Sequence, residues 1–287
     1  IGNELCGSHM AAGHFLRIIE IAPKILDLLE RNEEQHAFFG RPFNVYVDVL
    51  GYYSFSMGML GNFEEAMRIC EKGCRFAKEL NHPASSSYIE MCYGAVCLHL
   101  GRGEDAAEHF QKAIDYSEEG QIVISAGLSW AGLGVGGLLT GDVKTAERLI
   151  KKGIRMQEAS GIPLFLSMSY WGLGAACFFA GRLPEARRLV EKSLKTARKR
   201  NEKHNEGLAK IWLGRILGRM GKVPILQAIG YVRQGLDILE ERKIMPGVAE
   251  GYFFLGELFQ AAGKRDEALE YMEKAQKASE RMGMEVL

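Results

Sequence analysis

The feature that most restricts the fold of this chain is a repeat. A glycine followed five residues later by alanine occurs at Gly61 and Ala66, Gly101 and Ala106, Gly141 and Ala146, Gly181 and Ala186, and Gly263 and Ala268. The first four glycines stand 40 residues apart; the next step lands on Gly221, and two extra residues before Ala228 carry the register on to Gly263. Seven residues before each glycine stands another small residue: Ser54, Gly94, Gly134, Gly174, Gly214 or Gly256. A period of about 20 to 50 residues marks a stacked array in which no unit buries its apolar face alone. One extended body is therefore expected.

Each unit reads as helix, tight turn, helix. Apolar residues run at helical spacing before the turn, as in Tyr170, Leu173 and Cys177 or Tyr252, Leu255 and Phe259, and resume after it as Leu183, Ala186, Val190 and Leu194. The turn glycine suits a helix C-terminus where φ is positive. The acids that follow it (Glu64, Glu65, Glu104, Asp105, Asp142, Glu185, Asp266, Glu267) favour the N-terminus of the second helix. Glycine inside a helix costs about 1 kcal/mol against alanine, so five at one phase imply a neighbour too close for a Cβ. The predicted fold class is an all-α solenoid of about seven hairpins. An atypical first hairpin and linker occupy residues 1–42, with Gly13 in the turn and residues 15–31 as its second helix, and six repeats fill 43–287 as one continuous domain.

This pattern resembles the tetratricopeptide repeat (TPR). Trp130, Leu133 and Gly134, Tyr170, Leu173 and Gly174, and Tyr252, Leu255 and Gly256 match its helix A; Ala106, Phe110 and Ala113, Ala146, Ile150 and Gly153, and Ala268, Met272 and Ala275 match its helix B. The 40-residue period exceeds the family's common 34, implying longer helices, and the family's late proline is missing. The resemblance implies a right-handed superhelix whose A helices line a concave groove. The groove positions are then Phe55, Met59, Tyr88, Met91, Leu98, Leu128, Val135, Leu138, Met168, Trp171, Phe178, Ile211, Arg215 and Phe253. This set is apolar in the middle, unlike the Lys, Asn and Arg set of TPRs that clamp a chaperone's carboxylate. An apolar groove suits an amphipathic helix, an apolar peptide or another part of the same protein.

A narrower resemblance lies in Phe63 to Tyr88 and Gly251 to Met284, which are similar to the C-terminal TPR region of large bacterial proteins joining a class III adenylate or guanylate cyclase to an AAA-type ATPase. Those enzymatic domains have no counterpart here, and a chain starting at Ile1 reads as a piece of something longer. The implied function is a non-catalytic interaction and regulatory module, bound to a protein or peptide segment, to its own upstream domains or to a second copy. The alternatives are a ligand-sensing arm of a bacterial transcription regulator and a structural homodimerisation module.

Other chemistries find little support. Gly132 to Gly137 satisfies GxGxxG, but that fingerprint follows a strand and opens a helix, whereas here it lies inside a helix A. Residues 120–141 and 162–181 are uncharged and long enough for a membrane span of about 20 residues, yet each is a linker tail plus a helix A buried between neighbours. The seven histidines and six cysteines show no zinc spacing and no CxxC pair, so neither metal nor cofactor is expected, and the thiols fit a reducing cytoplasm. Lys plus Arg equals Asp plus Glu at 36 each, so no global field draws nucleic acid or an anionic membrane. The basic stretch Arg187 to Lys203 reads as a solvated convex face.

Overall fold

A computed structural model describes residues 2–161 and 165–285. Among them are fourteen helices and no strand, in seven consecutive pairs: α1 (Gly2–Ala12) with α2 (Phe15–Arg31), α3 (Val45–Met59) with α4 (Phe63–Glu79), α5 (Pro83–Leu100) with α6 (Gly103–Glu119), α7 (Val123–Leu139) with α8 (Val143–Ala159), α9 (Leu166–Phe179) with α10 (Leu183–Lys199), α11 (Lys203–Met220) with α12 (Ile225–Glu241), and α13 (Met245–Ala261) with α14 (Arg265–Met282). The GxGxxG stretch lies wholly inside α7.

The turn glycines do what the pattern requires. Gly61, Gly101, Gly141, Gly181, Gly221 and Gly263 all have φ between 63° and 94°, where an L side chain is strained. The next helix is then capped by a side chain in some repeats: Asn62 accepts from the Glu65 amide and Asp142 from the Thr145 amide, the latter at 3.1 Å. Gly134 shows why the mid-helix glycines recur. A Cβ there would lie 2.7 Å from the Ala146 carbonyl oxygen and 2.6 Å from Ile150 Cγ1, so α7 and α8 meet backbone to backbone.

The odd and even helices differ in surroundings. Successive odd helices from α3 to α13 pack on one another, α3 on α5, α5 on α7 and onward, whereas each even helix is held mainly by the odd helices before and after it. Odd helices therefore line the inside of the curve. They are accordingly buried nearly all round, as in α11 from His204 to Leu217, while even helices bury one stripe such as Ala186, Leu189, Val190, Ser193, Leu194 and Ala197 of α10. On the wet face of α10 the basic stretch is half neutralised: Arg187 pairs with Glu191, Lys192 with Glu158, Arg198 and Lys203 with Glu206, and Arg200 with Glu202.

Seven hairpins bring the two ends of the array over each other. The α1–α2 turn reaches α11, where a Cβ at Gly13 would meet the His204 backbone nitrogen at 3.3 Å. The far end of α14 reaches the α5–α6 turn, where the Glu285 amide donates to the Leu100 carbonyl at 3.0 Å and the Arg102 guanidinium donates to the Glu285 carboxylate at 2.6 Å. The concave face is thus bridged by contacts from both ends of the array. None of the helices among the described residues is long and apolar enough to cross a membrane.

Candidate functional site

The interior holds a cavity of about 80 Å³ between α3, α5, α7, α9 and α11. Phe55, Met59, Met91 and Leu98 come from the first two of these helices, and Leu128, Val135, Met168 and Trp171 from the next two, so eight of the fourteen predicted groove positions converge on one space. Its remaining walls include Met10 from α1, Phe110 from α6, Phe165, and His204, Asn205 and Leu208 at the start of α11.

Two histidines are its principal polar groups. His99 lies edge-on to Phe55, with ring centroids 6.2 Å apart, and has no hydrogen-bond partner among the described residues. His204 is wedged between Phe15 at 5.6 Å and Phe165 at 6.1 Å, and its Nδ1 is sealed against the Gly13 turn without a partner. Burial pushes the His99 imidazole down to about 4 and that of His204 to about 3, the latter helped by its proximity to His99. Both rings are therefore neutral near pH 7. Of the other polar groups, Ser169 Oγ donates to Gln157 Oε1 at 2.6 Å, and the Asn205 amide donates to Ser167 Oγ at 2.9 Å and Glu202 at 3.2 Å, whereas the buried Nε1 of Trp171 has no hydrogen-bond partner among the described residues.

An aromatic wall separates the cavity from an open cleft. Trp171 meets Trp212 at 5.9 Å, and Trp212 meets Phe178 at 5.8 Å and Phe254 at 5.2 Å. Arg215 inserts its guanidinium among these rings, 4.3 Å from the Phe254 centroid and 4.8 Å from that of Phe178, and donates to Glu257 at 3.0 Å. Behind it Trp212 Nε1 donates to Glu250 at 3.1 Å, and burial raises that carboxyl to about 7 against the opposing pull of Arg215. The cleft beyond is about 740 Å³, at the C-terminal ends of α9, α11 and α13, with Phe178, Phe179, Arg215, Arg219, Glu257 and Leu258 among its walls. Phe179 is 52% exposed there.

Four predicted positions lie elsewhere. Tyr88 packs on the face of Gly51 and Leu138 on the main core. Ile211 is completely buried against Gly235 and Gly251, because α11 is enclosed by its neighbours on every side, so it is core rather than groove. Phe253 is half-buried at the edge of the Arg215 cluster, 5.8 Å from its guanidinium. The sequence reading missed Met10, Phe110, Phe165, His204 and Asn205. Phe110 lies on an even helix, and Met10 and His204 meet only because the superhelix brings its first and sixth hairpins together; no local pattern signals that contact. Among the described residues no cluster of three or more His, Cys, Asp or Glu could hold a metal.

Paired helices stacked at a constant phase, glycine-locked at five of their crossings, define a tetratricopeptide-repeat solenoid. Residues 87–286 match the family model of the MalT-like TPR region, and the chain belongs to that family. No curated protein matches it. Among solved structures, a Rap protein complexed with competence and sporulation factor superposes with a TM-score of 0.77 at 12% identity, covering 96% of this chain and 73% of that one. The Rap conjugation gene regulator of plasmid pLS20, in complex with the Phr* peptide, gives 0.70 at 16%, covering 98% and 75%. Aspartyl phosphate phosphatase F from Bacillus subtilis gives 0.69 at 16%, covering 100% and 72%.

Proposed function

We propose that this chain is a non-catalytic regulatory interaction module that docks a peptide segment in the cleft formed by α9, α11 and α13. The observation that carries this reading is the juxtaposition of an exposed aromatic, Phe179, with Arg219 and Leu258 at an open stretch of the A-helix face. Such a surface fits a segment offering an apolar anchor beside a carboxylate. Solenoids of the same fold are known with bound peptide, as in the pLS20 regulator, which supports the reading without specifying the segment. Its test is selection from a random peptide library, followed by titration of the selected peptides. Wild-type protein should hold apolar–acidic peptides, and the double variant Phe179→Asp, Arg219→Glu should lose at least about tenfold in affinity, roughly 1.4 kcal/mol. Selected peptides that bind both proteins equally would remove the cleft from the account.

The finer context, the C-terminal TPR region of a class III cyclase–AAA ATPase signalling protein in a bacterial cytoplasm, rests on the similarity of Phe63 to Tyr88 and Gly251 to Met284. Sequencing the reading frame upstream of Ile1 tests it, and a frame without cyclase or P-loop ATPase motifs rejects it. The division into a first hairpin over 1–42 and six repeats over 43–287 is part of the same proposal. The apolar cavity favours a second reading, a ligand-sensing arm of a transcription regulator, in which a small molecule inside the solenoid biases what the outer surfaces bind.

A further inference from the structure

We infer that the interior cavity is a binding site for a small, neutral aromatic molecule carrying one hydrogen-bonding group, about the size of phenol, with His99 as the group that engages it. This inference rests on the ligand-sensing reading and gives it a ligand class. Size comes first. One water-sized sphere needs about 10–15 Å³, so about 80 Å³ has room for roughly five to eight such groups, which matches a molecule of about seven non-hydrogen atoms.

Charge is next. No Lys, Arg, Asp or Glu lines the space, and its two imidazoles are neutral, so an ion entering it would lose its hydration with no countercharge. The walls then favour an aromatic ring: Phe55, Phe110, Phe165 and Trp171 offer ring faces and edges, and the thioethers of Met59 and Met91 add polarisable, adaptable contacts.

Two lining residues keep an open polar group, His99 and Trp171, whose buried Nε1 has no partner among the described residues. Ser169 and Asn205 already donate to protein acceptors, and His204 Nδ1 is turned to the Gly13 turn. His99 faces the cavity with no partner among the described residues. A ligand hydroxyl would complete it, with Trp171 Nε1 as a second donor on the same wall, and a purely apolar ligand would leave both unsatisfied.

Isothermal titration of the whole chain with phenol, toluene and benzoate tests the inference. Phenol should bind with a Kd below about 1 mM, at least as tightly as toluene, and benzoate at least about tenfold more weakly. In a cavity without a polar partner toluene would be favoured by about tenfold or more, because the hydroxyl is buried unpaired. The variant His99→Phe, which keeps only Trp171 Nε1 as an open group, should therefore shift the preference toward toluene, and Ala95→Phe, which fills the cavity from α5, should abolish binding of both.

Each contrary result has its own reading. Benzoate binding as tightly as phenol would overturn the neutral-ligand inference and leave a sensing cavity standing, whereas absence of binding by all three up to about 10 mM would reject both. Phenol binding retained in Ala95→Phe would place the site elsewhere, and a toluene preference already present in wild type would remove His99 from its role. Should His99→Phe fail to fold, the wild-type selectivity and Ala95→Phe decide the matter. None of these outcomes touches the peptide cleft, which the Phe179 and Arg219 variants test separately.

Discussion

Replacing Gly134 by alanine adds one methyl group to the α7–α8 crossing, and the cost can be worked from what that methyl meets. Its position lies 2.7 Å from the Ala146 carbonyl oxygen, 2.6 Å from Ile150 Cγ1 and 2.9 Å from the Ile150 nitrogen. Two of those atoms are backbone, so relief requires the helices to separate by several tenths of an ångström. Overpacking of this kind costs typically about 1–3 kcal/mol, against which alanine recovers about 1 kcal/mol of helix propensity. At a backbone crossing the upper part of that range applies, and the net destabilisation is about 1–2 kcal/mol. Gly230, inside α12, supplies the control: nothing lies within 4 Å of its added methyl, so Gly230→Ala should stabilise by about 1 kcal/mol through propensity alone. The two substitutions are chemically identical and opposite in sign. Urea unfolding followed by helical circular dichroism should move the midpoint down for Gly134→Ala and up for Gly230→Ala, with thermal midpoints shifted by roughly 2–4 °C per kcal/mol. Because repeat arrays can unfold in segments, the comparison is of midpoints under one protocol. A Gly134→Ala protein as stable as wild type would refute the claim that the recurring glycines exist for helix contact.

Four further outcomes follow from particular groups. Glu250, raised to about 7 by burial, contributes stability that is fully present at acid pH and is lost as pH rises through 7; Glu250→Gln should therefore gain about 2–3 kcal/mol on wild type between pH 5 and pH 8, measured by urea unfolding at each pH. His99 and His204 work the other way, since imidazoles held below their ordinary value give stability fully present above about pH 6.5 and lost as pH falls toward 4 and 3. A His204→Phe protein should accordingly lose less stability than wild type between pH 6.5 and 4. Lys243 sits exposed at φ 59° between α12 and α13, so Lys243→Gly should raise stability by about 0.5–1 kcal/mol, and a fall would count against backbone strain there. Thiol reactivity offers the last check: Cys6 is pushed up to about 11 and Cys92 and Cys97 to about 12 by burial, so native protein should show no fast thiol with a disulfide reagent at pH 8, while denatured protein should react at all six.

The hairpins were legible because each is written in contacts less than about 40 residues apart. Gly101 to Ala106 marks a turn and a crossing whatever the rest of the chain does, and Gly13 with residues 15–31 was readable for the same reason. The connections from even to odd helices were not. They too pass through the left-handed region every 40 residues, at Asn81, Gln121, Gly161 and Asn201, and then at Lys243, but with one glycine in five the sequence carries no repeated letter to find. Concave positions were half legible. The repeat phase that placed Met91 and Trp171 on the groove also placed Ile211 there, and α11, hemmed in by α9, α10, α12 and α13, has no free inner face at that height. His204 was opaque for a different reason: its partners Phe15 and Phe165 belong to other hairpins, and only closure of the superhelix brings Phe15 to it.

That closure governs how the two sites relate. An open solenoid would let a ligand inside it change the curvature gradually, but here the α1–α2 turn rests on His204 while Glu285 is tied to Leu100 and Arg102, so a change of curvature must break contacts at one seam or the other. The wall between cavity and cleft is correspondingly stiff, since Trp171, Trp212, Phe178 and Phe254 are interlocked edge to face around Arg215. A molecule pressing on Trp171 from the cavity side therefore meets a packed block whose far surface is the floor of the cleft. Packed blocks shift as units rather than deform continuously. On the proposed reading of both sites, their coupling would run through Trp212, which touches Trp171 on one side and Phe179 on the other at 6.1 Å. Linkage then requires that a peptide favouring one setting of that block alter phenol affinity by the same factor that phenol alters peptide affinity.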